Sequence, residues 1–224
     1  MMRTQLPGNE VAIPVGSQRL NGELVTAGDA VILFAHGSGS SRHSPRNQYV
    51  ARVLHERGMG TLLFDLLTPG EEEAEYFTGH LRFNIPFLAE RLIAATDWLQ
   101  RQEISLRLRI GYFGSSTGAG AALVAAAKLA STIGAVVSRG GRPDLAAAQL
   151  GEVSSPTLLI VGALDTVVVD LNRQAYAELH CPKELTLIPG ATHLFEEEGA
   201  LESVAHAAGA WFNRHLTTSS TRFS

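Results

Sequence analysis

Gly114-Ser115-Ser116-Thr117-Gly118 decides how the rest of this chain is read. It follows Leu108-Arg109-Ile110-Gly111-Tyr112-Phe113, a run with the composition of a buried strand. It opens the Ala-rich stretch from Ala119 to Ala130, which reads as a helix. A serine at a tight strand-to-helix turn has its Oγ forced into the open above the sheet, and only glycine-sized neighbours permit the turn. The pentapeptide alone is a weak signal, since loops are rich in glycine and serine. Its setting between strand and helix is what makes Ser116 a candidate nucleophile.

Outward from that turn, short apolar runs alternate with amphipathic stretches. The runs are Val31 to Ala35, Thr61 to Phe64, Leu108 to Phe113, Ala135 to Val137, Thr157 to Val161 and Leu185 to Ile188. Continuous hydrophobicity means both faces are covered, as in a parallel sheet between helices. Before them, Val11, Ile13 and Val15 alternate and Leu20 to Val25 follows a Gly-Ser turn. This predicts an antiparallel hairpin, with Pro14 placing its strand at a sheet edge. Ser44 and Pro45 read as the start of a helix that Gly58 ends, and Leu88, Leu92, Ala95 and Leu99 mark the apolar stripe of another. Asp170 reads as the cap of a helix from Leu171 to Leu179. Glu196, Glu197 and Glu198 read as the first turn of the last helix, whose buried face is Leu201, Val204, Ala208 and Trp211. The expected architecture is α/β: a doubly wound, mostly parallel sheet of about eight strands with an antiparallel N-terminal hairpin. Residues 1–218 read as a single domain and 219–224 as a flexible tail.

Ligands of such sheets bind in loops at the carboxyl ends of the strands. A serine hydroxyl needs a base to take its proton and an acid to orient the base, in the chain order nucleophile, acid, histidine. Asp165 stands just past the strand Thr157 to Val161, and His193 just past Leu185 to Ile188. Both fall on the rim that carries Ser116. Asp65 also ends a strand but precedes the serine, which makes it the weaker candidate. His180 and His215 sit near predicted helix ends, where solvated roles are expected. An oxyanion needs donors as well: the backbone N–H of Thr117 at the start of the helix, and Ser38 in His36-Gly37-Ser38-Gly39-Ser40. His36 reads as a brace of that loop rather than a second base.

Together these residues resemble the α/β-hydrolase superfamily and, within it, the dienelactone hydrolase-like branch, over nearly the whole chain. The resemblance implies an α/β-hydrolase fold, no metal or organic cofactor, and hydrolysis of an ester or related acyl bond. True dienelactone hydrolases use a cysteine nucleophile, whereas Ser116 occupies that position here. Cys181, the only cysteine, lies near a predicted helix end. The dienelactone substrate therefore does not follow from the resemblance. Thioester or peptide hydrolysis on the same triad, and an inactive interaction module on the same fold, stay open at this point.

Composition bounds the partners. The chain has 224 residues, 45% hydrophobic and 18% charged, with a net charge of −4, so neither nucleic acid nor an anionic membrane is the expected partner. No apolar run approaches the ~20 residues needed to span a bilayer, and Met1 to Gly8 has no apolar signal core. A cytoplasmic protein acting on a small-molecule ester or lactone is expected. Between the strands at Ala135 and Thr157 only a short segment fits, so no large lid domain is expected, and Thr68 to Asn84 is the only other loop long enough to cover the site. Several arginines fall on rim loops: Arg42, Arg46, Arg82, Arg139 and Arg142. Arg139, Arg42 and Arg82 are candidates for binding an anionic substrate group, with pairing to local carboxylates as the alternative. A phosphate loop is excluded because no Lys-Ser/Thr follows Gly118.

Overall fold

Gly16 and Ser17 make a two-residue turn between β1 (Asn9–Val15) and β2 (Gln18–Val25), with Gly16 at φ +61°. The computed structural model describes residues 8–102 and 108–217. The expected tail at 219–224 and most of the N-terminal stretch read for a signal lie outside the described residues. In β1 the side chains alternate, Ile13 being buried while Ala12 and Pro14 face out. This strand is the sheet edge, where the missing N–H of Pro14 costs least.

Six further strands are β3 (Ala30–Ala35), β4 (Gly60–Phe64), β5 (Arg109–Ser115), β6 (Ile133–Arg139), β7 (Thr157–Gly162) and β8 (Lys183–Ile188). The sheet order is β1-β2-β4-β3-β5-β6-β7-β8, antiparallel only where β2 meets β1 and β4. Every residue of β3, β4 and β7 is buried. On one face lie α3 (Ile85–Gln100) and α4 (Thr117–Leu129), whose Leu88, Leu92, Leu99 and Leu123 pack with Leu33 and Tyr112. On the other lie α1 (Pro45–Glu56) and α6 (Ala200–Leu216), whose Leu54, Val204 and Phe212 pack with Ile32 and Phe113. The chain runs from β3 to β4 on one side, then returns to β5 on the other. The crevice beyond the carboxyl ends of β3 and β5 is therefore a topological switch point, where open α/β sheets bind ligands.

That crevice is built by close approach of backbone. A Cβ on Gly114 would stand 2.4 Å from the Cα of Ala119, and one on Gly118 would stand 2.2 Å from the carbonyl oxygen of Ala35. No side chain fits either place, so α4 can start immediately after β5 only because both residues are glycine. His36 fixes the neighbouring loop. Its Nε2 accepts from the Leu66 N–H at 3.1 Å, which leaves Nδ1–H to donate to the Gly37 carbonyl at 3.0 Å. Burial lowers the His36 pKa, because the charged ring loses water and would face the Leu66 donor.

Three boundaries differ from expectation. The segment 68–84 is not a loop: it holds α2 (Pro69–Thr78) and a single 3-10 turn, Leu81–Phe83. Thr68 and Glu71 cap α2 reciprocally, the Thr68 hydroxyl accepting from the Glu71 N–H and the Glu71 carboxylate from the Thr68 N–H. The helix expected from Leu171 starts earlier, as α5 (Thr166–Glu178). Asp170 is therefore inside it, paired with Arg173 at 3.2 Å, rather than its cap. The last helix starts at Ala200 rather than at Glu196, because Gly199 turns the chain with φ +73°. Between β6 and β7 stands only the 3-10 segment Pro143–Glu152, and no lid domain.

Gly118→Ala is expected to destabilise the protein by at least roughly 2 kcal/mol, since backbone cannot yield as a side chain can. Thermal melting reads this as a fall of about 4–8 °C for a chain of this size; an unchanged melting temperature contradicts the packing. For His36 the lowered pKa sets the sign. Neutral His36 contributes fully above its ordinary value of about 6.5, and the contribution declines as pH falls from there through the depressed folded value. The gap in melting temperature between the native chain and His36→Leu should narrow from pH 7.5 to pH 5; a constant gap argues against the brace.

Candidate active site

Ser116 occupies the cap position of α4 with φ +50° and ψ −121°, a backbone conformation that a side chain other than hydrogen rarely adopts. Holding a residue there costs of order 1–3 kcal/mol, so the surroundings must over-determine it. They do so from three directions. The Ser116 N–H donates to the Arg139 carbonyl at 3.2 Å, and the Ser116 carbonyl accepts from the N–H groups of Arg142 and Ala119, each at 3.1 Å. The end of β6 thus clamps the turn at the end of β5.

Asp165 and His193 arrive from the next two strands. Asp165 follows β7 and stands at the cap position of α5 without capping it; its carboxylate instead accepts from Nδ1–H of His193 at 2.7 Å. That bond fixes the tautomer and leaves Nε2 as a proton acceptor. The imidazole is held from behind by its own loop. Glu197 accepts from the Thr192 N–H at 3.1 Å and from its hydroxyl at 2.6 Å, and the hydroxyl bond holds the Glu197 carboxyl below its ordinary range. Ser116 and His193 line one cavity of about 240 Å³, together with Ser38, Ser44, Arg46 and Arg139. The Ser116 hydroxyl makes no hydrogen bond to a described residue. Nucleophile–base contacts of this kind commonly tighten only when substrate is bound.

The loop from His36 to Ser40 lies against this serine, with the backbone of Gly37 about as close as packing allows: a Cβ there would be 3.1 Å from that of Ser116. Thr117 is the first residue of α4, so its N–H has no acceptor within the helix. The Ser38 N–H donates to the Thr117 hydroxyl at 2.9 Å. The two backbone donors expected for an oxyanion are thus neighbours, and one of them is engaged by a side-chain oxygen. On the far side of this loop a second cavity of about 150 Å³ runs under α2, walled by Leu66, Leu67, Leu88 and Tyr76.

Four of the five rim arginines turn to carboxylates of the protein. Arg42 pairs with Asp65, which accepts from both its side chain and its backbone N–H. Arg82 donates from Nε and backbone N–H to Glu75, each at 2.9 Å. Burial would raise the Glu75 carboxyl, but these donors and the Leu81 N–H hold it down to about 2. Arg142 forms a two-point pair with Asp144 at 2.7 and 2.8 Å, and Arg46 meets Glu196 at 3.2 Å. Arg42 and Arg82 therefore fix loops, as does Asp65. Arg139 has no carboxylate partner among the described residues.

Sequence reasoning did not single out Glu197 as the brace of the His193 loop, because it placed that residue on a helix. It also passed over Asn47, whose Oδ1 accepts from the Ser115 hydroxyl at 3.1 Å and from Arg139 Nη2 at 3.3 Å. An asparagine in the first turn of α1 carries no signal of what it faces.

Residues 70–220 match the dienelactone hydrolase family. A dienelactone hydrolase from Anabaena variabilis is 54% identical and superposes with a TM-score of 0.93, covering 96% of this chain and 100% of its own. An esterase of Pyrococcus furiosus shares the fold at 20% identity, with a TM-score of 0.79 over 95% of this chain and 94% of its own. Over 213 residues, 94% of the chain, a Mycobacterium tuberculosis protein named "Putative phosphoribosyl transferase" is 54% identical, and those residues make up 47% of it. The chain thus spans about half the length of the curated relatives it matches. On its sequence match and its fold alike, this chain belongs to the dienelactone hydrolase family.

Proposed function

We propose that this chain is a serine hydrolase that cleaves an ester or lactone of a small substrate through an acyl-enzyme on Ser116. One observation carries the reading. A serine held at φ +50° faces the same cavity as an imidazole whose other nitrogen is bonded to a buried-side carboxylate at 2.7 Å. Backbone strain at a nucleophile, with base and orienting acid in the required order, has no structural use that a glycine at 116 would not serve better.

His193 Nε2 takes the proton of the Ser116 hydroxyl as Oγ attacks the acyl carbon. Asp165 holds the imidazole tautomer and stabilises the imidazolium that forms. The oxyanion is met by the Thr117 N–H at the start of α4. The Ser38 N–H joins it when the Thr117 hydroxyl turns aside, that hydroxyl being its acceptor in the resting site. His193 then gives its proton to the leaving alcohol, activates water against the acyl-enzyme and returns the proton to Ser116. The hydrolase and esterase names of the relatives support this chemistry. The phosphoribosyl transferase name belongs to proteins about twice as long, and no step of that transfer is carried over here.

Two measurements test the proposal. A serine-directed phosphonate should label the protein at Ser116, and Ser116→Ala should abolish the label; labelling that survives puts the nucleophile elsewhere, and none in the native chain leaves an inactive module. Asp165→Asn, which allows the wrong imidazole tautomer, should lower kcat/KM for a simple acetate ester by roughly a thousandfold or more. A loss of less than tenfold would mean that Asp165 does not orient the base.

A further inference from the structure

Arg139 ends β6 and is 7% exposed. Its Nη2 donates to Asn47 Oδ1, an acceptor shared with the Ser115 hydroxyl, and its guanidinium lies 5.8 Å from the centre of the Phe195 ring. Its Nε is buried without any hydrogen-bond partner. Burial, and then the nearby charge of Arg46, bring its pKa down to about 10, which still leaves it charged at neutral pH. A buried cation without a counter-ion is costly, so negative charge supplied by a bound group would be stabilised at Arg139.

The surroundings of Arg139 are short of negative charge rather than merely arranged otherwise. Arg46 lines the same cavity, and its Nε is likewise buried with no partner, while its Nη1 reaches out to Glu196 at the surface. The cavity also receives the amino end of α1, a twelve-residue helix with no acidic residue in its first turn and Ser44 as its cap. Two guanidinium groups and a helix amino terminus thus meet beside Ser116 and His193.

We propose that this cavity holds a phosphate group carried on the substrate, bound by Arg139 and Arg46 and left intact while Ser116 cleaves an acyl ester elsewhere in the same molecule. The inference rests on the hydrolase reading and specifies its substrate class. Phosphate fits better than carboxylate on charge. A phosphomonoester carries about −1.5 to −2 at neutral pH, enough to answer Arg139, which has no carboxylate partner among the described residues, and to compete for Arg46 with its single contact to the exposed Glu196. It also has oxygens enough for both guanidinium groups and the hydroxyl of Ser44 at once, and the guanidinium fork is matched to it.

The test uses acetyl esters of one short alcohol whose far end carries a hydroxyl, a carboxylate or a phosphate. The native chain should prefer the phosphate ester to the neutral one by about 30-fold in kcat/KM, the scale of one or two charge-assisted hydrogen bonds. Arg139→Gln should reduce that ratio to within about threefold, and Arg46→Gln should reduce it by a smaller factor. Equal rates on phosphate and neutral esters, or a preference for the carboxylate, would overturn the proposal. Calorimetric titration with inorganic phosphate separates it from the hydrolase reading. Binding should be present in the native chain and in Ser116→Ala, and weaker by about tenfold or more in Arg139→Gln. If no ester is turned over but phosphate binds in this way, the hydrolase reading fails and the site stands; if esters are cleaved and phosphate binding ignores both arginines, the site fails alone. Should Arg139→Gln not fold, as judged by melting, Arg139→Lys and Arg46→Gln carry the same comparison.

Discussion

The conformation of one residue organises this molecule. Ser116 sits in a region of backbone space that costs energy, and it stays there because the Arg139 carbonyl at the end of β6 and the Arg142 N–H in the loop that follows hold it on both sides. Those bonds exist only if β5 and β6 run parallel in the register that sets Gly114 beside Ser138 and Ser115 beside Arg139. That register in turn needs α4 to leave β5 with Ser116 as the one connecting residue, which the missing side chains of Gly114 and Gly118 permit. The strain is local, but the structure that sustains it is the centre of the sheet.

The same parallel order brings the other groups to one rim. Parallel neighbours end at the same edge, so residues just beyond β3, β5, β6, β7 and β8 come together although they are far apart in the chain. Each arrives on a loop with its own fastening: His36 on the Leu66 N–H, Arg42 on Asp65, Thr192 on Glu197. The first two are part-buried hydrogen bonds, which are worth more near low-dielectric walls than on an open surface, whereas the Thr192–Glu197 pair is exposed.

How much of this was legible in the sequence depends on how local its cause is. Strands and the elbow are written in continuous apolar runs and in a pentapeptide, and all eight strands stand where those runs or the hairpin pattern put them. Ser116, Asp165 and His193 were legible because a residue's place at a strand end is a local property. The start of α2 was legible too, in Thr68-Pro69 followed by Glu71, but a capping box was passed over in favour of a loop. The misplaced start of α6 has a different origin: Glu196 to Glu198 suit a first turn by charge, and it is tertiary packing of Phe195 and the turn at Gly199 that excludes them. Of the arginine partners only a neighbour in the chain was legible, Asp144 two residues from Arg142. Arg46 and Glu196 are 150 positions apart, and Arg82 meets its carboxylate only because α2 folds back over it.

Electrostatics then separates the two sides of the loop from His36 to Ser40. Beneath α2, Leu66, Leu67 and Leu88 line a cavity in which Arg82 is paired with Glu75 and the Glu72 carboxylate stands at the wall. On the other side stand Arg139 and Arg46, with a single exposed carboxylate between them. A substrate lying across Ser38 would therefore meet an apolar wall at one end and excess positive charge at the other. Desolvation sharpens the contrast: an apolar group gains from leaving water on one side, while an anion gains on the other only if both guanidinium groups reach it. In the proposed reaction that asymmetry favours one orientation of the acyl carbon at Ser116, because reversing an anionic substrate would set its charge against leucine and the Glu72 carboxylate.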